Sequence, residues 1–299
     1  MNTKVTIAGV EFKNPVIAAS GTFGFGKEFS EYLDLNKLGG ICSKGLTIHR
    51  NLGNKGIRIY ETASGIMNSI GLQNPGIEYF VKEELPFMKK FDTVTIANLG
   101  GHCVDDYIKG AEILDQTTSD MIELNISCPN VKEGGMAFGT DPSKAREVIR
   151  KVRSKTNKPL IVKLSPNVGS IVEFAKIAED EGADSISLIN TINALAVDIK
   201  SKKTIFANKT AGLSGPCVKP IALRMVYEVS NAVDIPVIGM GGIMNYEDAL
   251  EFIMAGATAI QVGTANFIDY KSMENIISGI EKYMKEENIS SLDEITGII

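Results

Sequence analysis

The chain has no tryptophan, two histidines and four cysteines among 299 residues. Two histidines, His49 and His102, are too few for a histidine-built metal centre and argue against a Ser–His–Asp triad. None of Cys42, Cys103, Cys128 and Cys217 has the C-x-x-C spacing of a zinc or iron–sulfur ligand set, and a chain this long needs no disulfide staples. They read as free thiols in a reducing compartment. Positive charge is also short: 31 Lys and Arg against 36 Asp and Glu leave a net charge of −5. That balance argues against nucleic acid as the main partner. No apolar run reaches the length that spans a bilayer, and a long candidate at 185–197 is broken by Ser, Asn and Thr. Met1-Asn2-Thr3-Lys4-Val5 lacks the apolar segment of a signal peptide, so a cytoplasmic protein without membrane contact is expected.

What the sequence does contain is a recurring unit. Short β-branched runs alternate with amphipathic stretches, the pattern of βα repetition on a parallel sheet. Eight strands are expected, at 15–19, 40–44, 93–98, 121–125, 160–164, 185–189, 236–239 and 259–262. Two of the intervening helices show the 3.6-residue period clearly. One over 246–256 turns Ala249, Leu250, Ile253 and Met254 to one face and stops at Gly256; one over 172–181 turns Phe174, Ala175, Ile177 and Ala178 inward and stops at Gly182. The two helix-to-strand joints resemble each other, Glu181-Gly-Ala-Asp against Ala255-Gly-Ala-Thr. With no linker in sight, residues 1–299 read as a single domain. Strands apolar enough for burial on both faces predict a (β/α)8 barrel rather than an open doubly wound sheet. Residues 4–12 are expected to form a hairpin closing the barrel bottom. The stretches 49–75 and 192–216 are long for βα loops, and such insertions over the strand C-termini are where barrels keep function.

Most of the expected strands end on a polar residue or glycine: Ser20, Lys44, Asn98, Asn125, Lys163, Asn190, Gly241 and Gly263. In a barrel these ends converge on one mouth. They bring ammonium groups, carboxamides and backbone N–H groups, with almost no carboxylates. That inventory suits a planar, anionic, amide-rich ligand better than a metal. Ile238-Gly-Met-Gly-Gly-Ile243 and Gln261-Val-Gly-Thr264 follow the last two strands, where glycines and a short helix N-terminus favour a phosphate. Cys128, ahead of Gly134, Gly135 and Gly139, reads as a nucleophile, a general base on a lid, or a packed thiol. Lys163 reads as a Schiff-base lysine or as a fixed cation beside an anionic cofactor.

Several ordered stretches carry a resemblance. They are Ala19-Ser-Gly-Thr22, Asn68-Ser-Ile-Gly-Leu-Gln-Asn-Pro75, Glu123-Leu-Asn-Ile-Ser-Cys-Pro-Asn-Val131, Val162-Lys-Leu-Ser-Pro166, Asn190-Thr191, Leu213-Ser-Gly-Pro216, Lys219-Pro-Ile-Ala-Leu-Arg224, Gly239-Met-Gly-Gly-Ile243 and Gln261-Val-Gly-Thr264. Over essentially its whole length the chain resembles the class 1 dihydroorotate dehydrogenases, FMN barrels of pyrimidine biosynthesis. The loop Val131-Lys-Glu-Gly-Gly-Met-Ala-Phe-Gly139 and Asn190-Thr191 look like class 1B.

The resemblance implies oxidation of dihydroorotate to orotate, with Cys128 as the base that takes the C5 proton while C6 delivers hydride to the flavin. It implies that Ser20, Lys44, Gly45, Asn98, Asn125, Lys163 and Ile189 meet the flavin, Lys163 at its N1/O2 edge. Gly215, Gly241, Gly242, Gly263 and Thr264 would hold the ribityl phosphate end. Lys44, Asn68, Ser69, Ile70, Gly71, Leu72, Asn125, Asn190 and Thr191 would bind the orotate carboxylate and ring amides. It further implies a homodimer core joined to a separate electron-transfer subunit carrying FAD and a 2Fe–2S cluster, a heterotetramer that passes electrons to NAD+. A dihydropyrimidine dehydrogenase-type flavoenzyme and a fumarate-linked, class 1A-like enzyme are the alternatives. A Schiff-base lyase on Lys163 and a flavin-binding subunit without turnover stand further off.

Overall fold

In the computed structural model, which describes residues 2–127 and 135–299 (side chains of 135–137 excepted), eight parallel strands close into a barrel. They are β3 (Val16–Ala18), β4 (Gly40–Cys42), β7 (Val94–Leu99), β8 (Met121–Asn125), β9 (Leu160–Lys163), β10 (Ser185–Leu188), β15 (Val237–Met240) and β16 (Ala259–Val262). Each falls within or against an expected strand. Nearly every residue on them is buried, because one face meets the barrel interior and the other meets the helices. β16 pairs with β3, through Ile260 with Val16 and Gln261 with Ile17, and that pairing closes the ring.

The flanking helices bury one stripe each. Pro142–Arg153 turns Ala145, Val148, Ile149 and Val152 inward and starts at Asp141, whose carboxylate accepts from the backbone N–H of Ser143 and Lys144. Helices Ile171–Asp180 and Tyr246–Met254 match the two expected from periodicity, within two residues at each end. Their exits explain the repeated Gly-Ala joint. Gly182 and Gly256 both have positive φ, and the next residue reaches back identically: Ala183 N–H donates to Ala178 O and Ala257 N–H to Phe252 O.

The first βα unit departs from the repeat. Between β3 and β4 the chain forms only the short turns Phe29–Glu31 and Leu35–Lys37 instead of an α-helix. Gly21, Gly24 and Gly26, all at positive φ, prevent a helix there, and a stacked Phe23–Phe29 pair fills the space.

At the barrel bottom, β1 (Val5–Ile7) and β2 (Val10–Phe12) form the expected hairpin through Ala8 and Gly9, both at positive φ. At the mouth, the two long insertions join. The first carries β5 (Ile59–Thr62) and β6 (Gly65–Asn68); the second carries β11 (Ile192–Leu195) and β14 (Thr210–Ser214), with the small pair β12 (Val197–Asp198) and β13 (Lys203–Thr204) between them. Together they make one antiparallel sheet in the order β11-β14-β6-β5, joined where Gly212 pairs with Asn68. Met67, Phe206 and Ala211 form a small core under it. Among the described residues no helix is long and apolar enough to cross a membrane.

Candidate active site

The C-terminal mouth of the barrel opens into a cavity of about 400 Å³, partly enclosed by the insertion sheet. Ser20, Lys44, Gly45, Asn125, Lys163, Ile189, Gly241, Gly242, Gly263 and Thr264 line it, as do Asn68, Ile70, Gly71, Leu72, Asn190 and Thr191. Three other sequence-predicted residues stand just behind this lining. Asn98 is fully buried and donates its amide to Glu123; Ser69 accepts from Asn54 Nδ2 at 3.0 Å; Gly215 sits against Gly65 and Gly242. Cys128 and Gly134 lie outside the described residues.

One wall is built from side chains on β7 to β10 and just beyond. Glu123 and Asn125 share the inward face of β8, two residues apart, and Asn125 pairs in register with Lys163 on β9. Glu123 is fully buried and saturated. Its Oε1 accepts from Asn98 Nδ2 at 2.6 Å and Cys42 Sγ at 3.3 Å, and its Oε2 from Gln261 Nε2 at 2.7 Å and Ser187 Oγ at 2.9 Å. Lys163 Nζ lies 3.6 Å from Oε1. Burial pushes the Glu123 carboxyl up, but the Lys163 charge and the donors from Gln261, Ser187 and Cys42 outweigh it and hold the group below the ordinary glutamate range. The same surroundings act oppositely on Cys42, whose thiol burial and the Glu123 charge push well up.

From Asn98 the amides continue along the mouth toward β10. Asn125 Nδ2 donates to Asn98 Oδ1 at 3.5 Å, and Asn125 Oδ1 accepts from Ser127 Oγ at 3.0 Å and Asn190 Nδ2 at 3.4 Å. Thr191 N–H closes the chain onto Asn190 Oδ1 at 2.8 Å. Lys44, at the opposite rim, is partly buried. That burial holds its ammonium below the ordinary lysine range, with Glu28 opposing and Arg58 reinforcing.

The other wall is backbone. Gly241 and Gly242 follow β15 with φ of 128° and 80°. A Cβ on Gly242 would stand 2.8 Å from Gly215 O and Lys219 N, so only glycine fits that turn. A Cβ on Gly263 would meet nothing nearer than 3.7 Å, so its openness faces the cavity rather than the protein. Two helices follow these turns. Tyr246–Met254 is already capped by Asn245, with Asp248 Oδ2 taking the Met244 N–H, and Ala265–Ile268 is a single turn. Lys219, close behind Gly242, donates to Asp248 at 2.6 Å and to Glu251 at 3.0 Å, and those bonds hold its ammonium above the ordinary range despite burial.

A family model described as dihydroorotate dehydrogenase matches residues 2–284. The chain belongs to the dihydroorotate dehydrogenase family. Among its curated relatives, the dihydroorotate dehydrogenase B (NAD(+)), catalytic subunit, of Petrotoga mobilis is 64% identical over 299 residues, covering all of both chains. The protein of the same name from Caldicellulosiruptor bescii is 53% identical, covering 100% of this chain and 99% of that one. These are the class 1B catalytic subunits that the loop around position 131 and Asn190-Thr191 resemble.

For a dihydroorotate dehydrogenase barrel, sequence reasoning missed one group above all. The strand ends promised almost no carboxylates, yet Glu123 sits at full burial beneath the cavity, and Gln261 reaches it from β16. The signal was present. A glutamate inside a strand buried on both faces has no solvent side to turn to, so it must be paired. Arg58 was also missed. Its guanidinium donates to Asn54 O, Gln73 Oε1 and Leu52 O, and so fixes the loop carrying Ser69 to Leu72. His49 and His102 are exposed and outside the cavity.

Proposed function

We propose that this chain is the FMN-binding catalytic subunit of an NAD+-linked dihydroorotate dehydrogenase, oxidising (S)-dihydroorotate to orotate in de novo pyrimidine biosynthesis. The observation that carries the reading is the pairing, in one cavity of a chain of this family, of two lysines and five carboxamides with a glycine-lined backbone wall. A planar ring system bearing a phosphate tail needs both halves.

The residues fit FMN. Gln261 Oε1 is a buried acceptor without a protein partner in a residue that lines the cavity, and Gly263 leaves space where any side chain would intrude. Gly215, Gly241, Gly242, Gly263 and Thr264 would hold the phosphate end through backbone groups. Ser20, Lys44, Gly45, Asn98, Asn125, Lys163 and Ile189 would hold the ring, Lys163 supplying positive charge at its N1/O2 edge. When bound, FMN supplies the two-electron acceptor for the hydride from C6.

The chain's own residues do the rest. Asn68, Asn125, Asn190 and Thr191 orient the substrate diamide, and Lys44 with residues 69–72 takes its carboxylate. Cys128 removes the C5 proton. A free thiol has a pKa of about 8.5, so the base needs a nearby cation or an alkaline medium. Loss of that proton and the C6 hydride leaves the C5–C6 double bond of orotate. The electrons then leave through a separate subunit carrying FAD and a 2Fe–2S cluster, in a heterotetramer built on a homodimer of this chain in the cytoplasm. The relatives' designation as catalytic subunits supports a partner of that kind.

The test is an anaerobic visible spectrum before and after L-dihydroorotate. A yellow protein that bleaches is expected. A chain that stays colourless after FMN is added back would overturn the reading, and a yellow one that does not bleach would move the substrate to another pyrimidine.

A further inference from the structure

The Glu123 carboxylate stands behind both halves of the side-chain wall, and it can only accept hydrogen bonds. Gln261 must therefore turn Nε2 toward it, at 2.7 Å, which leaves Oε1 as the group without a protein partner. Asn98 must likewise turn Nδ2 toward it, at 2.6 Å, so its Oδ1 is left for Asn125 Nδ2. Asn125 Oδ1 then faces Asn190 Nδ2. The charge sets the sense of Gln261 and Asn98, and the backbone N–H groups of Ser127 and Thr191, which donate to Asn125 Oδ1 and Asn190 Oδ1, hold the next two amides in the matching sense. The same carboxylate keeps Lys163 Nζ within 3.6 Å.

We propose that Glu123 is a positioning residue that fixes Gln261 Oε1 as an acceptor from one of its oxygens and holds the Lys163 ammonium at the other, two groups of one cavity complementary to the N–H and carbonyl of a cyclic imide. This rests on the reading of the cavity as a flavin site. The flavin pyrimidine ring carries such an edge, N3–H between two carbonyls, and Gln261 is the residue that reads the N–H. Glutamine in place of Glu123 keeps the shape but turns one acceptor into a donor. Gln261 or Asn98 must then reverse, and the amide pattern of the cavity becomes mixed.

The experiment uses the full chain loaded with FMN, in wild type, Glu123→Gln and Gln261→Met. Flavin affinity is read by fluorescence titration and the flavin carbonyl and N3–H bands by resonance Raman. Both variants are expected to weaken FMN binding by about tenfold, the value of one cofactor hydrogen bond, and to shift the N3–H-sensitive band. A merely structural carboxylate would lower thermal stability without moving that band. Where Glu123→Gln does not fold, Gln261→Met decides alone. Wild-type bands and affinity within twofold in the folded variants overturn the proposal while leaving the flavin site standing. A wild-type chain that takes up no FMN overturns both.

Discussion

The two walls of the cavity solve the same problem by different means. On β7 to β10 and just beyond, the wall is made by side chains: Asn98, Asn125, Lys163 and Asn190 are tied to one another or to the buried Glu123. Beyond β15 and β16 it is by backbone, at Gly241, Gly242 and Gly263, and the lysine closest behind that turn, Lys219, is bound to Asp248 and Glu251. A side-chain wall keeps its orientation only while every buried polar group stays matched. A backbone wall keeps it through covalent geometry, and fails only when a side chain is forced into the turn. Damage to the first should therefore appear as charge imbalance, and damage to the second as strain confined to the glycine turns.

Lys163→Met tests the first wall most severely. It leaves Glu123 buried without its counter-charge, a loss of about 3–5 kcal/mol at neutral pH in denaturant unfolding. The pH dependence gives the sign. Glu123 has a lowered folded pKa, so its contribution in the wild type is present above the ordinary carboxylate range and is lost as pH falls through that lowered value. In Lys163→Met burial is no longer opposed by the lysine, Glu123 takes up a proton earlier, and the deficit against wild type narrows on acidification. A deficit that stays constant down to about pH 4, near the unperturbed glutamate value, would remove the pair from the account.

Cys128→Ala comes next and should leave both walls intact. FMN content is expected to match wild type, while flavin reduction by dihydroorotate, followed by anaerobic stopped flow, slows by roughly 10²-fold or more. Reduction at the normal rate would take the base away from Cys128.

The contrast between the walls also governs how much could be read in advance. The eight strands were legible because burial on both faces leaves an unbroken apolar run, and the helix ends because Gly182 and Gly256 sit where only a left-handed residue closes the turn. The backbone wall was legible as glycines, since the turns after the last two strands are written in them. The side-chain wall was half legible. Asn98, Asn125, Lys163 and Asn190 stand at strand ends and announce themselves, whereas Glu123 sits inside Met121-Ile-Glu-Leu-Asn125, where a single acid resembles the solvent side of an ordinary strand. The pairing of Asn68 with Gly212 was out of reach, since the partners lie 144 residues apart and neither insertion alone specifies it. The missing first helix is a local matter, written in Gly21, Gly24 and Gly26 at positive φ.

Gly242→Ala carries the comparison to the second wall. Alanine at φ of 80° costs roughly 1–2 kcal/mol in backbone strain, and its Cβ would press on Gly215 O and Lys219 N. FMN affinity is expected to fall by about tenfold, with the flavin carbonyl bands of the bound fraction unchanged. A shift in those bands would mean that the walls are coupled and that the division drawn between them is wrong.

The smallest effect should come from the roof, which belongs to neither wall. Arg58 donates at 2.7 Å to both Asn54 O and Gln73 Oε1, and Asn54 in turn holds Ser69 Oγ, so the guanidinium shapes residues 69–72 without lining the cavity itself. Because its loop is largely exposed, Arg58→Ala is expected to cost little stability, about 1 kcal/mol or less. It removes preorganisation of the segment proposed to take the substrate carboxylate and touches neither the amides around Glu123 nor the glycine turns. The expected signature is therefore a rise of about three- to tenfold in KM for dihydroorotate, with kcat and FMN affinity within about twofold of wild type. A fall in kcat with unchanged KM would show that the roof acts on the reacting atoms, and would move Arg58 from shaping the entrance to aligning the chemistry.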